Sequence, residues 1–200
     1  MNNLTLAFDT ETTGLWNKYA PPTHPSQPRL VQLAAVLVDG PRNVGGLLAI
    51  VRPDDFVIPE RATAVHGITQ ERALAVGIPL ESVMATFASM VHLATTLVGH
   101  NLEYDLNIAR RELSGLGLAA VFDGKEQFCT MKAATPVCRL PSQFGRDFKW
   151  PKLSEVYRLA FGEDLVDAHD AMNDLRATLR VWRWLNDGAV LFADRKAETI

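Results

Sequence analysis

Residues 4–14 read Leu4-Thr5-Leu6-Ala7-Phe8-Asp9-Thr10-Glu11-Thr12-Thr13-Gly14, an apolar run that gives way to an acidic, threonine-rich stretch. Leu4 to Phe8 has the length and continuity of a buried strand, and Asp9 to Gly14 the composition of the loop it emerges into. Asp9 and Glu11 are two residues apart, and in extended chain such positions share a face, so their carboxylates can converge on one point. Ligands of α/β sheets bind at strand ends. Two carboxylates held close together repel unless a proton or a cation lies between them, which makes a metal ion a natural occupant. Taken alone, the pair is equally a solvated acidic turn.

Outward from this stretch the pattern alternates between strand and helix. Trp16 to Arg29, with four prolines, is a surface loop. Leu30 to Val38 is a strand, and the short turn Asp39 to Asn43 makes the next strand, Val44 to Val51, its antiparallel neighbour. Pro59 to Val65 and Thr69 to Val76 are short helices separated by His66-Gly67. Leu80 to Leu93 is a longer helix, with Val83, Met84, Phe87, Met90 and Val91 at helical spacing. A strand at Thr95 to Gly99 leads to a helix from Leu102 to Leu113, stopped by Ser114-Gly115. Phe128 ends a further strand, residues 135–151 are loop, and Leu153 to Phe161 and Ala171 to Leu185 are helices. This order predicts a three-layer α/β fold with a mixed sheet, residues 1–200 forming one domain with a flexible tail at 193–200.

Composition narrows the class. Hydrophobic residues make up 48% and charged residues 22%, the balance of a globular chain. No run approaches the roughly 20 apolar residues of a membrane span, and Met1-Asn2-Asn3-Leu4-Thr5, without a basic start and an apolar core, is not expected to open a secretory signal. Cys129 and Cys138 have no second pair and no neighbouring His partner, so they read as reduced thiols in a cytoplasmic protein. A formal net charge of −3 argues against nucleic-acid binding by bulk basic charge. It does not argue against a nuclease, because carboxylates clustered for hard cations reverse their local sign once the cations bind.

Two further places carry chemistry. Asp105 lies early in the helix that follows Val98-Gly99-His100-Asn101, where a carboxylate is stabilised by the helix dipole or faces a ligand at the sheet edge. In Ala168-His169-Asp170-Ala171-Met172-Asn173-Asp174, positions 169 and 174 do not share a helical face. They can act together only with His169 on the entry loop and Asp170 as the N-cap. Asp174 then projects inward as a ligand, and His169 is suited to taking a proton from water. Each of these has a plain structural alternative, a helix-supporting acid or a surface histidine. Together, four carboxylates can hold two divalent ions about 4 Å apart for in-line phosphoryl displacement. An all-oxygen set fits magnesium or manganese rather than zinc. There is no Gly-x-Ser-x-Gly and no Gly-rich phosphate loop.

The motifs Phe8-Asp9-Thr10-Glu11-Thr12-Thr13-Gly14-Leu15, His100-Asn101-Leu102-Glu103-Tyr104-Asp105 and His169-Asp170-Ala171-Met172-Asn173-Asp174 resemble, in order and spacing, a DEDDh exonuclease of the DnaQ-like, proofreading epsilon-like family. The resemblance covers nearly the whole chain. It implies a ribonuclease-H-like fold with a five-stranded mixed sheet whose second strand is antiparallel. It also implies 3′–5′ hydrolysis of single-stranded DNA, with RNA trimming or a silent polymerase-assembly subunit as alternatives. Asp9, Glu11, Asp105 and Asp174 would hold two Mg2+ or Mn2+ ions and His169 would be the general base. Thr12, Gly14, Leu15, His66 and Asn101 would contact the strand, and a DNA polymerase is a possible partner. The segment Val65-His66-Gly67-Ile68 is equally a glycine helix stop with core flanks. Residues 136–150 join Arg139, Arg146 and Lys149 with Phe144, Phe148 and Trp150. Such a segment can follow a single strand, but the aromatics are expected to fold back over the core.

Overall fold

The computed structural model describes residues 3–143, 145, 148–166 and 170–187. Five strands, β1 (Thr5–Thr12), β2 (Leu30–Asp39), β3 (Arg42–Ile50), β4 (Thr96–Gly99) and β5 (Glu126–Cys129), form one sheet in the order β3-β2-β1-β4-β5. β2 runs antiparallel to both β1 and β3, while β1, β4 and β5 are parallel, the ribonuclease-H-like arrangement expected from the motifs.

The helices are α1 (Glu60–His66), α2 (Gln70–Val76), α3 (Leu80–Leu93), α4 (Leu102–Gly115), α5 (Thr130–Cys138), α6 (Leu153–Phe161) and α7 (Ala171–Asp187). They cover both faces of the sheet, and β1 shows how. Leu6 and Phe8 pack with Phe87 of α3 and Leu106 of α4, the Phe8 and Phe87 rings meeting edge-on at 5.1 Å. Ala7, between them, packs on the opposite face with Leu175 and Leu179 of α7. A strand buried on both faces reads as a near-continuous apolar run, here Leu6 to Phe8, with Thr5 buried before it. No helix among the described residues is long and apolar enough to cross a membrane.

Three expectations change. β1 continues to Thr12, so the acidic pair lies inside the strand rather than in a loop beyond it. Part of the expected 135–151 loop is helical: α5 runs to Cys138 with Pro136 inside it, because Ala134 and Cys138 are buried against Val156 of α6 and Val181 of α7. Packing there outweighs the hydrogen bond that proline removes. Phe148 and Trp150 are 43% and 63% exposed and do not cover the core. Phe144, Arg146, His169 and the expected tail at 193–200 lie outside the described residues.

Candidate active site

The site forms where two parallel strands separate. β1 pairs with β4 only through Thr5, Leu6 and Ala7, but with β2 as far as Thr12. β4 stops at Gly99, where a Cβ would stand 2.9 Å from a Leu102 methyl. The chain then turns through Asn101, in the left-handed region at φ 65°, into α4. Asparagine tolerates that backbone better than most residues. The departure of β4 leaves Asp9 and Glu11 facing a cleft of about 770 Å³. A register shift between Glu11 and Thr12 further re-aims the end of β1.

Alternation along β1 decides which helix meets which side chain. Asp9 and Glu11 share the face of Ala7, the face covered by α7, and there they meet Asp174. One oxygen from each of Asp9, Glu11 and Asp174 lies within 4.8 Å of the others. Asp170 caps α7, its carboxylate accepting from the N–H groups of Met172 and Asn173 at 3.1 and 3.0 Å. The cap fixes the start of the helix and hence the place of Asp174. Asp105 approaches from α4, on the other face. Its Oδ1 accepts from the Thr10 N–H at 3.1 Å and from the Thr10 hydroxyl at 2.6 Å. The four carboxylates therefore line one cleft, three of them as a tight cluster and Asp105 beside it.

The electrostatics follow from crowding. Burial, and then repulsion from Asp105, Glu11 and Asp174, hold the Asp9 carboxyl well above the usual carboxylate range. Burial, with Asp174 and Asp105, pushes Glu11 up to about 8. Burial also raises Asp105, against the hydrogen bonds from Thr10. Such a cluster carries a proton or a cation at neutral pH.

The strand-contacting residues expected from the motifs, Thr12, Gly14, Leu15, His66 and Asn101, line the same cleft. Leu15 projects from the turn after β1 and is 88% exposed. The Thr12 hydroxyl donates to the Gly14 carbonyl at 2.8 Å. His66 Nδ1 accepts from the Ile68 N–H at 3.1 Å, leaving the Nε2–H turned towards the backbone of Thr12 outside hydrogen-bond geometry. Burial lowers the pKa of that imidazole.

Sequence reasoning gave no role to three other lining residues. The Tyr104 hydroxyl donates to the Gly14 carbonyl at 2.6 Å and stands 2.5 Å from the Thr12 hydroxyl, pinning the turn after β1; burial pushes it up to about 12. The only sequence signal was an aromatic preceding Asp105 in the second motif. His100 bonds the Thr130 hydroxyl and the Pro151 carbonyl at 2.9 and 3.1 Å, and burial brings it down to about 4. It is a neutral tie between α5 and the segment before α6. Arg61 had no local signal at all.

Residues 6–182 match the RNase_T exonuclease family. Over 108 residues the chain is 38% identical to a DNA polymerase III subunit epsilon-like protein of Rhodobacter capsulatus, covering 54% of this chain and 14% of that protein. It is 28% identical over 183 residues to three-prime repair exonuclease 1 of Bos taurus, covering 88% of this chain and 54% of the relative. Among solved structures, E. coli exonuclease I in complex with a dA16 oligonucleotide has the same fold, with a TM-score of 0.73 at 23% identity over 96% of this chain and 42% of that one. The chain thus spans about half or less of the length of each of these proteins. The family match itself runs from β1 through the cleft and into α7, and the chain belongs to the RNase_T exonuclease family.

Proposed function

We propose that this chain is a 3′–5′ exonuclease that hydrolyses terminal phosphodiester bonds of single-stranded nucleic acid, DNA in preference to RNA, with two divalent cations. The observation that carries the reading is the cluster of Asp9, Glu11 and Asp174 oxygens within 4.8 Å of one another in a cleft of a family exonuclease. The cluster fits the implied metal. Its donors are all carboxylate oxygens, suited to magnesium or manganese, and its raised pKa values mark a site that favours added positive charge. Asp9, Glu11 and Asp174 would hold the cations, with Asp105 completing the set from α4. Bound there, such ions activate water and stabilise charge on the leaving oxygen.

The chain's own residues do the rest. His169, two residues before α7, takes a proton from the attacking water as general base. Leu15 packs against the last base, while Thr12, Gly14, His66 and Asn101 hold the terminal nucleotide between β1 and α1. Support comes from relatives named as a three-prime repair exonuclease and as an exonuclease bound to a single strand. The epsilon-like relative favours a polymerase partner. Two free thiols suit a reducing cytoplasm, and residues 1–200 read as one exonuclease domain.

Matched 5′-labelled DNA and RNA strands, incubated with purified protein and Mg2+ or Mn2+, test this. A ladder shortening from the 3′ end is expected, faster on DNA, and absent with chelator, with Asp9→Asn or with His169→Ala. Full activity in both variants would refute the site, and faster RNA cleavage would reverse the substrate preference.

A further inference from the structure

Arg61 is the one lysine or arginine among the described residues that lines the carboxylate cleft. It lies in the first turn of α1, next to Ala62. Ala62 is buried with Val31, Ile58 and Ile68, which fixes the helix and so the direction from which Arg61 enters. The guanidinium reaches the turn after β1, where a terminal nitrogen lies 3.8 Å from the position a Cβ on Gly14 would take. That turn is held by the Tyr104 and Thr12 hydroxyls, so Arg61 faces a fixed wall of the cleft.

The side chain is exposed and makes no hydrogen bond or ion pair with any described residue. Elsewhere Arg29, Arg42, Arg52, Arg158 and Arg180 each hold a carboxylate. A guanidinium that shares a cleft with four carboxylates yet pairs with none is left with its full donor fork for an incoming anion. Phosphate is the anion that fork matches, in bidentate geometry.

Which phosphate follows from the exonuclease reading, on which this inference rests. The scissile phosphate would lie at Asp9, Glu11 and Asp174, with none of which Arg61 pairs, while its guanidinium stands over the turn after β1. The terminal nucleotide has only a hydroxyl on its 3′ side, so every other phosphate of the strand lies 5′ of the scissile bond. We propose that Arg61 binds a phosphate upstream of the scissile one, making the site prefer strands long enough to reach it over a dinucleotide.

The test compares kcat/KM on a dinucleotide, whose only phosphate is the scissile one, with that on a longer single strand of the same 3′ sequence. Arg61→Ala should cut the preference for the longer strand by about 10-fold or more, through KM, as expected for a lost charge-assisted phosphate contact. It should also make the dependence of log KM on log salt shallower by about 0.7, the share of one phosphate on a single strand. Arg61→Lys should restore most of the salt slope and only part of the affinity. An unchanged preference and slope overturns the proposal, as does an equal loss on both substrates, which would place the contact on the terminal nucleotide. Fluorescence anisotropy with the longer strand, in an Asp9→Asn background, measures binding apart from cleavage. If the wild-type chain cuts neither substrate but Arg61→Ala still weakens that binding, the contact stands and only the exonuclease reading falls. If binding is unchanged, the contact itself is refuted.

Discussion

Thr10 commits both of its donors, the backbone N–H and the hydroxyl, to the single oxygen Oδ1 of Asp105. That arrangement separates what Asp105 does for the fold from what it is proposed to do in the reaction. An asparagine can keep its Oδ1 in the same place and accept from the same two donors. Asp105→Asn should therefore leave the melting temperature within a few degrees of the parent, while losing the negative charge proposed to complete the cation site. Charge stabilisation worth several kcal/mol corresponds to a fall in kcat of at least about 100-fold. Paired melting and rate measurements on this variant decide it: retention of activity would reduce Asp105 to a structural acid. The same positions show what local sequence can tell. That Asp9 and Glu11 share a face follows from the pleat of any strand. That Thr10, between them, turns to Asp105 on the opposite side depends on which helix packs on which face.

Among the elements, α4 is tied to the start of β2 by a carboxylate with almost no access to water. Glu112 is 4% exposed, and its Oε1 accepts from the Leu30 N–H at 3.2 Å, from Arg29 Nε at 3.1 Å and from Arg111 at 3.1 Å. Arg29 in turn exchanges hydrogen bonds with Thr13, its N–H donating to the Thr13 hydroxyl at 2.9 Å and its carbonyl accepting from the Thr13 N–H at 3.0 Å. A staple on α4 thereby sets the turn that carries Gly14 and Leu15. Glu112→Ala leaves a buried N–H and two guanidinium groups short of a partner, at a cost of about 3 kcal/mol. Urea denaturation should show that loss, and a change below about 1 kcal/mol would mean that Arg29 is satisfied by Asp55 alone. The loop between Trp16 and Arg29 is likewise organised from inside. The Gln27 amide donates to the carbonyls of Asn17, Ala20 and Pro21 and accepts from the Asn17 N–H. A proline-rich loop was legible in the sequence, whereas its internal strut was not, because one glutamine among polar neighbours carries no pattern.

For the whole molecule, the acidic cluster couples stability to pH. Folded Glu11 keeps its proton up to about pH 8, whereas the unfolded chain releases it near 4.5. Over that interval the folded state of the metal-free protein binds more protons, so this contribution is complete at low pH and is lost as pH rises through about 8. His66 and His100, depressed by burial, act with the opposite sign, adding stability as pH rises towards their unfolded value of about 6.5. The falling limb is thus isolated between about pH 6.5 and 8. In chelator the melting temperature should fall across that window, and magnesium should flatten the slope by supplying the charge that protons otherwise provide. A melting temperature in chelator that is constant or rising there would mean that the cluster does not trap protons. The sequence by itself determined the order of the strands and of the helices other than α5, the antiparallel second strand and the residues of the acidic cluster, because these rest on local periodicity and motif spacing. Only the tertiary structure decided that α5 forms despite Pro136, that Asp105 stands beside the tight cluster of the other three carboxylates rather than within it, and that Arg61 enters their cleft. Each of these depends on contacts between residues far apart in the chain, and such contacts leave no periodic trace in the sequence.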